Sequence, residues 1–410
     1  MSETYLHRHA EGTIGKLSRM FGAVLVAGPR QVGKTTMLRH LTSGIHYVTL
    51  DDTIVRAAAM ETGNTFFRDH TPPVFVDEIQ KAPNLFEQMK LILDESGKKG
   101  QFFLSGSQQF RVMKGVSESL AGRIGLITLP GLSLREIHGV ADTSPFLPTS
   151  EYLESRRADL ATVSYDEVWY IIWRGTMPEL LLNEDFDWQM YYAAYVRTYL
   201  ERDVRELVNI GDEIKFMQFM TACAAMTGQL LNLSSLARDV GISQPTAERW
   251  LSVLTASGIV YLLRPYSNNI TKRAVKTPKI YFLDTGLAAY LTKWNTPGVL
   301  KSGAMSGHFF ESFVVSEIIK SYCNAGILEP PLFFYRDKDK KEIDVIISDN
   351  GTLYPIEIKK HADPSGSDIA SFSVIDGIPG VKRGEGGVVC FYDSLISLSS
   401  QDKVIPVRYL

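Results

Sequence analysis

The sequence predicts a multidomain α/β chain with a parallel five-stranded sheet near its N-terminus. Three observations carry this prediction. Five short apolar runs alternate with amphipathic stretches over the first 135 residues, the pattern of buried parallel strands joined by crossover helices. The chain then turns to long aromatic-rich helical periodicity over 165–227 and changes character again at 228. From 301 a helix-like stretch, HFFESFVVSEIIKSY, leads into strand runs at 332–335, 343–348, 353–358 and 387–392. At roughly 100–200 residues per domain, 410 residues allow two to four domains. The expected units are 1–140, a helical lid or linker region at 141–227 with Pro145 and Pro148 near its start, 228–300, and 301–410.

Composition narrows the class. Apolar residues make up 45% and charged residues 22%, which excludes a wholly disordered or fibrous chain. The 43 Lys and Arg against 46 Asp and Glu give a net charge of -3, which excludes a uniformly basic nucleic-acid coat but not a local basic patch. Cys223, Cys323 and Cys390 are far apart and not in metal spacing, so a reducing compartment is expected. The polar N-terminal stretch has no signal-peptide core, and Phe21–Ala27 is far short of the ~18 apolar residues a membrane helix needs. A cytoplasmic protein without membrane association is the expectation.

The five N-terminal runs are Ala23–Ala27, Tyr47–Leu50, Val74–Val76, Phe102–Leu104 and Ile124–Leu129. Directly after the first comes Gly28-Pro29-Arg30-Gln31-Val32-Gly33-Lys34-Thr35, which fits G-x-x-x-x-G-K-[ST], followed by Thr36 at a helix start. The glycines allow backbone N–H groups to face phosphate oxygens, and the helix adds its positive end. ATP is the expected ligand, held by Gly28 to Thr36. Lys34 would reach the β- and γ-phosphates, the Thr35 hydroxyl would ligate Mg²⁺, and Arg30 could touch phosphate or a protein carboxylate. The third run ends in Asp77-Glu78. Asp77 would complete the Mg²⁺ shell through water, and Glu78 would orient the attacking water. The fourth run ends Leu104-Ser105-Gly106-Ser107, where Ser107, or failing it Ser105, could sense the γ-phosphate. Arg123, just before the fifth run, is a candidate finger toward a neighbouring subunit's phosphate, or a structural residue.

GPRQVGKTT, VFVDEIQKAPNLFEQMKLILD, FFLSGSQ and SLAGRIGLITLPGLSLREI resemble the prokaryotic AAA-type ATPases of the archaeal-ATPase, STAND-related group. YVRTYLERDVREL, WLSVLTASGIVYLLRPY, TPKIYFLDTGLAAYL and FFESFVVSEI resemble the domain of unknown function that these ATPases carry at their C-terminus. The resemblance covers nearly the whole chain. It implies a P-loop ATPase core with the phosphate-loop strand central, and no settled biological role. Arg174-Gly175-Thr-Met-Pro178-Glu179 departs from the family's double glycine and aromatic.

Residues 236–250 read as helix, turn and recognition helix, with Gly241 at the turn, Ser243 as N-cap and Pro245 in the first helical turn. In a winged helix, Gln244, Thr246 and Arg249 could face a DNA groove. Arg264, Lys272, Arg273, Lys276 and Lys279 form a basic strip where a wing would lie, with Lys272 and Arg273 the leading phosphate contacts. Packing against protein is the alternative use of such a module. Farther on, Glu342-Ile-Asp344 and Glu357-Ile-Lys359 resemble the PD-(D/E)xK nuclease core, with Ile343 where the proline would stand. That resemblance implies a restriction-endonuclease-like fold, with Glu311, Asp344 and Glu357 holding Mg²⁺ and Lys359 positioning or deprotonating water. Strand alternation puts Glu357 and Lys359 on one face. Two functions fit these motifs. One is an ATP-driven, DNA-acting machine, in a ring or smaller assembly. The other is a nucleotide-dependent switch that binds a protein partner, with the nuclease-like fold reused for binding.

Overall fold

The computed structural model describes residues 5–61, 63–106, 119–141, 144–157, 163–199, 213–267, 277–339 and 341–410. β1 (Ala23–Ala27), β2 (His46–Thr49), β3 (Val74–Asp77), β4 (Phe102–Gly106) and β5 (Ile124–Thr128) form one parallel sheet in the order β2-β3-β4-β1-β5. Every residue of β1 is buried, as its unbroken apolar run requires. The period-two alternation then assigns faces. Val24 and Val26 join Phe75 and Ile127 in the large core shared with the rest of the chain. Ala23 and Leu25 join Val74, Val76, Phe102 and Leu104 in a smaller core, closed by Leu85, Phe86, Met89 and Leu93 of the Leu85–Ser96 helix. Each Val, Leu, Ile, Met or Phe among them contributes about 1.5–3 kcal/mol by burial, and a one-residue slip would exchange the faces, so register is strongly specified. β4 holds the middle of the sheet. The phosphate-loop strand β1 lies beside it, with β5 beyond, so it is interior rather than central.

The middle of the chain is helical at Tyr165–Arg174, Pro178–Leu182, Trp188–Tyr199 and Glu213–Ala225. After the short β6 (Gln229–Leu230), the helix Leu233–Val240 ends at Gly241, which takes the left-handed conformation (φ 71°). Ser243 accepts the N–H of Thr246 and so caps the helix Gln244–Ala256, with Pro245 in its first turn. β7 (Val260–Pro265) and β8 (Lys279–Phe282) then pair antiparallel, and β6 pairs the other side of β8.

In the C-terminal part, β9 (Leu332–Arg336), β10 (Glu342–Asp349) and β11 (Thr352–Ile358) are antiparallel neighbours, with β12 (Lys382–Arg383) paired in parallel alongside the start of β11. β13 (Gly386–Cys390), β14 (Ile396–Ser397) and β15 (Asp402–Pro406) extend the sheet on the far side of β11. β7 pairs β9 in parallel, Arg264 against Phe333 and Pro265 against Phe334. One ten-stranded sheet therefore crosses the expected boundary at 300–301.

The helix Ser306–Asn324 is buried nearly all round, as its apolar run predicts. Its polar residues tie the parts together. Glu317 accepts the N–H of Leu134 at 2.7 Å, and Lys320 Nζ donates to the carbonyl of Leu132 at 2.8 Å and to Glu317 at 2.6 Å. Thr13 donates to the carbonyl of Asn324 at 2.7 Å, and Ser316 to that of Leu283 at 2.7 Å. Among the described residues, no helix is long and apolar enough to cross a membrane. The three cysteines are buried free thiols.

Candidate functional site

Two clusters of charge gather chemistry-bearing residues. The first lies at the C-terminal ends of β1, β3 and β4. Gly28 leaves β1 at φ 147°, and a Cβ there would lie 2.2 Å from the carbonyl oxygen of Leu129, so only glycine fits. Gln31 (φ 61°) and Gly33 (φ 87°) complete the turn into the Lys34–Leu41 helix. Val32 anchors the loop in the large core. Arg8 braces it from outside the motif: NH1 donates to Val32 O at 2.7 Å, NH2 to Pro130 O at 2.8 Å, and Nε to the buried Glu136 at 3.0 Å. Lys34 Nζ donates to the carbonyls of Gly28 at 3.0 Å and Pro29 at 2.6 Å. Arg30 and Thr35 are half-buried and Thr36 is exposed.

Thr35 Oγ1 donates to both oxygens of the buried Asp77, at 2.9 and 3.2 Å. Tyr47 OH donates to Asp77 Oδ2 at 3.1 Å, and burial together with Asp77 raises the Tyr47 pKa. Ser105 Oγ donates to Asp77 Oδ1 and accepts the N–H of Glu78 at 3.2 Å. Ser105, the second-choice sensor, thus positions the acidic pair, while Ser107 lies outside the described residues. Glu78 sits at the tip of β3 in the left-handed region (φ 59°), a strained conformation of the kind found at functional sites, and its carboxylate accepts from Gln80 Nε2. Thr35 and Asp77 place two hard oxygen donors side by side, which suits Mg²⁺.

Arg123 precedes β5 at the opposite end of the sheet from this loop and pairs with Asp94 at 2.5 Å. Its hydrogen bond holds the Asp94 carboxyl below its ordinary value. It has no place at this chain's own loop.

The second cluster lies on the ten-stranded sheet. The ladder places Val345 against Ile356, which carries Asp344 alongside Glu357, and a register shift between Ile343 and Ile346 re-aims the strand at Asp344. Asp344 Oδ2 accepts the N–H of Ile358 at 3.0 Å, and Lys359 Nζ donates to Glu357 at 2.7 Å. Glu311 arrives from the Ser306–Asn324 helix and accepts from Tyr281 OH at 2.6 Å. The four sequence-expected residues therefore share one neighbourhood. Burial and repulsion from Asp344 push Glu311 up to about 7 and Glu357 up to about 8.

Lys279, read from sequence in the wing's basic strip, is only 3% exposed and lies inside this cluster. Its Nζ is 2.7 Å from Glu342, 3.0 Å from Glu311 and 3.4 Å from Asp344. Burial would lower its pKa, but Glu311, Asp344 and Glu342 hold it above the ordinary lysine value. This corrects the expected strip: a lysine opening the apolar run KIYF is carried into the sheet interior rather than to its rim. It also bears on the expected Mg²⁺ ligands. Among the described residues, no group of three or more His, Cys, Asp or Glu is arranged to hold a metal ion. With an ammonium among the carboxylates, Glu311, Asp344 and Glu357 do not fit Mg²⁺ here.

Of the expected nucleic-acid contacts, Gln244 and Arg249 are exposed and Thr246 is half-buried. Gln244 Nε2 donates to Glu248 at 3.0 Å, and Thr246 Oγ1 shares a hydrogen bond with Ser243. Lys272 and Arg273 lie outside the described residues. Sequence reasoning missed Arg8 and Tyr47, and it assigned Lys279 to the basic strip. No spacing rule points to Arg8 or Tyr47, because each reaches its site through tertiary packing. Within Arg174–Glu179, packing explains the glycine that is kept. A Cβ on Gly175 would lie 2.0 Å from Tyr192 OH, and buried Arg174 donates to the carbonyl of Leu180 at 2.8 Å.

The loop therefore stands at the C-terminal edge of a parallel five-stranded sheet, between β1 and the Lys34–Leu41 helix. Residues 21–138 match the AAA domain family. Residues 165–298 match a domain of unknown function, DUF8612, and residues 306–410 match another, DUF4143. Two curated relatives are uncharacterized proteins, Mb2031c of Mycobacterium bovis and Rv2008c of Mycobacterium tuberculosis. Each is 29% identical over 355 residues, covering 86% of this chain and 74% of the relative. The Walker-type ATPase of Pyrococcus abyssi is similar at 14% identity and a TM-score of 0.44, over 69% of this chain and 94% of that one.

Proposed function

We propose that this chain is a Mg²⁺-dependent, ATP-hydrolysing AAA-type protein whose nucleotide state is passed to its C-terminal modules. The observation that carries this reading is the contact network Thr35–Asp77–Ser105–Glu78, which draws the helix start and the tips of β3 and β4 to the phosphate loop. Lys34 rests on two neutral carbonyls, which it would exchange for the stronger, charge-assisted bonds of a phosphate. Thr35 and Asp77 would hold Mg²⁺, which supplies charge neutralisation on the phosphates when bound with ATP. Glu78, once released by Gln80, would orient the attacking water, while Ser105 fixes its backbone. Glu78→Gln should bind ATP and fail to hydrolyse it. Steady-state phosphate release by that variant at the wild-type rate would remove Glu78 from this role.

The route to the C-terminal modules starts at the loop itself. A Cβ on Gly258 would meet Pro29 at 3.0 Å, and one on Gly33 would meet Pro178 at 3.8 Å. Movement of the loop therefore presses on the helix pair and on the helical region. The helix Ser306–Asn324 gives a second route. From Lys320, bonded to Leu132, to Glu311 it spans nine residues, or roughly 14 Å.

What the modules bind divides two readings. Exposed Gln244 and Arg249 at the start of a capped helix support a DNA-acting protein, with the helix pair and the β7–β8 hairpin as a winged helix. The burial of Lys279 against carboxylates weakens the basic strip and favours the nucleotide switch with a protein partner. In either case the C-terminal, nuclease-like module acts by binding, because Lys279 stands where a cleaving site would hold its metal. ATP turnover with and without duplex, forked and single-stranded DNA, at low and moderate salt, separates them. Phosphate contacts supply most non-specific DNA affinity, so hydrolysis indifferent to every DNA at low salt decides for the switch. The buried free thiols suit the reducing cytoplasm. Arg123 as a finger in trans would require an oligomer.

A further inference from the structure

We infer that Lys279 is the resident cation of the C-terminal carboxylate cluster and keeps divalent metal out of it in the folded protein. The inference stands apart from the ATPase reading. The ammonium lies 2.7–3.4 Å from carboxylates on two separate elements, Glu342 and Asp344 on β10 and Glu311 on the Ser306–Asn324 helix. Two residues along the same strand face, Tyr281 adds its hydroxyl to Glu311. Lys359 and Arg336 neutralise the outer members, Glu357 at 2.7 Å and Glu342 at 3.3 Å. Three cations thus face four carboxylates, and every charge has a partner within the chain.

Lys279 is not a surface arm that swings away. It opens β8, an interior strand, and is paired with Leu263 of β7 on one side and Leu230 of β6 on the other. The ladders fix its backbone, its side chain is 4% exposed, and three carboxylates hold the ammonium in place. A divalent ion ligated by Glu311 and Asp344 would sit on the order of 4 Å from the ammonium, in a site with little water to screen the repulsion. The cluster also straddles two segments. Lys279 and Tyr281 lie in the part that matches DUF8612, and all four acids lie in the part that matches DUF4143. An ammonium from one segment therefore fills, in the other, the place that the nuclease resemblance reserves for metal.

The test is a titration of the full, nucleotide-free chain with Mn²⁺ alone, with free ion followed by electron paramagnetic resonance. Wild type, Asp344→Asn and Glu311→Gln should bind Mn²⁺ alike, because weak binding near Asp77 is common to all three. Lys279→Met should gain a Mn²⁺ site at least tenfold tighter, lost again in the double variant with Asp344→Asn. A Mn²⁺ site in wild type that Asp344→Asn removes would overturn the inference. So would a folded Lys279→Met chain, checked by circular dichroism, with no gain. If Lys279→Met does not fold, the comparison of wild type with Asp344→Asn and Glu311→Gln decides alone.

Discussion

Two buried lysines divide this molecule's chemistry. Lys34, in the phosphate loop, rests on the carbonyls of Gly28 and Pro29. Lys279, on β8, rests on Glu311, Glu342 and Asp344. The first donates to neutral backbone carbonyls, for which an incoming phosphate offers stronger, charge-assisted bonds. The second is already surrounded by negative charge, so an incoming cation must compete with it. A site prepared for a ligand and a site that supplies its own counter-ion differ in what the lysine leaves unmet.

The largest expected effect tests the first half of that contrast. Glu78→Gln should lower ATP hydrolysis by roughly 10²–10⁴, the usual contribution of a positioned general base, with ATP binding retained in a filter or calorimetric assay. Lys34→Ala should weaken ATP binding by roughly 10²-fold, about 2–3 kcal/mol. Its melting temperature without nucleotide should fall less than that of Lys279→Met, because the carbonyls of Gly28 and Pro29 carry no charge to strand.

Lys279→Met should behave in the opposite way. Removing one partner of a buried ion cluster costs about 3–5 kcal/mol, read by denaturant unfolding. Its deficit should also depend on pH. Glu311 and Glu357 have folded-state values raised to about 7 and about 8, above the ordinary 4.5. A raised carboxyl favours the folded state below its ordinary value and loses that contribution as pH rises through the folded one. Lys279→Met should therefore be less destabilised at pH 5 than at pH 8, and equal loss at both would break the contrast.

Smaller effects sharpen it. Ser243→Ala should cost about 1 kcal/mol by loss of the helix cap, with ATP turnover unchanged. Arg123→Ala should leave the melting temperature of the chain unchanged, since its partner Asp94 is at the surface. A fall in hydrolysis by this variant that grows with protein concentration would place Arg123 at a neighbouring subunit's site.

Legibility in the sequence followed the range of the interactions. The phosphate loop could be read because its glycines, Lys34 and Thr35 are consecutive and act through their own backbone. The strands were visible because a fully buried parallel strand is a run of apolar residues, as in AVLVA. The place of β1 beside β4, not in the middle, depends on which edge β5 joins, and no local pattern encodes that. Lys279 was misplaced for a similar reason. Its charge reads as surface, and only the pairing of β7 with β9 shows that its strand lies beside the acids. Arg8 lies 128 positions from Glu136, beyond any spacing rule.

That β7–β9 pairing has a consequence for anyone who would dissect the protein. The family matches invite a cut near residue 300, between 165–298 and 306–410. Such a cut would expose the open edges of β7 and β9 together, one on each fragment, as templates for unwanted strand addition. It would also leave Lys279 without acids and the acids without Lys279. Each half made alone should aggregate, while the two made together in one cell should find each other and co-purify.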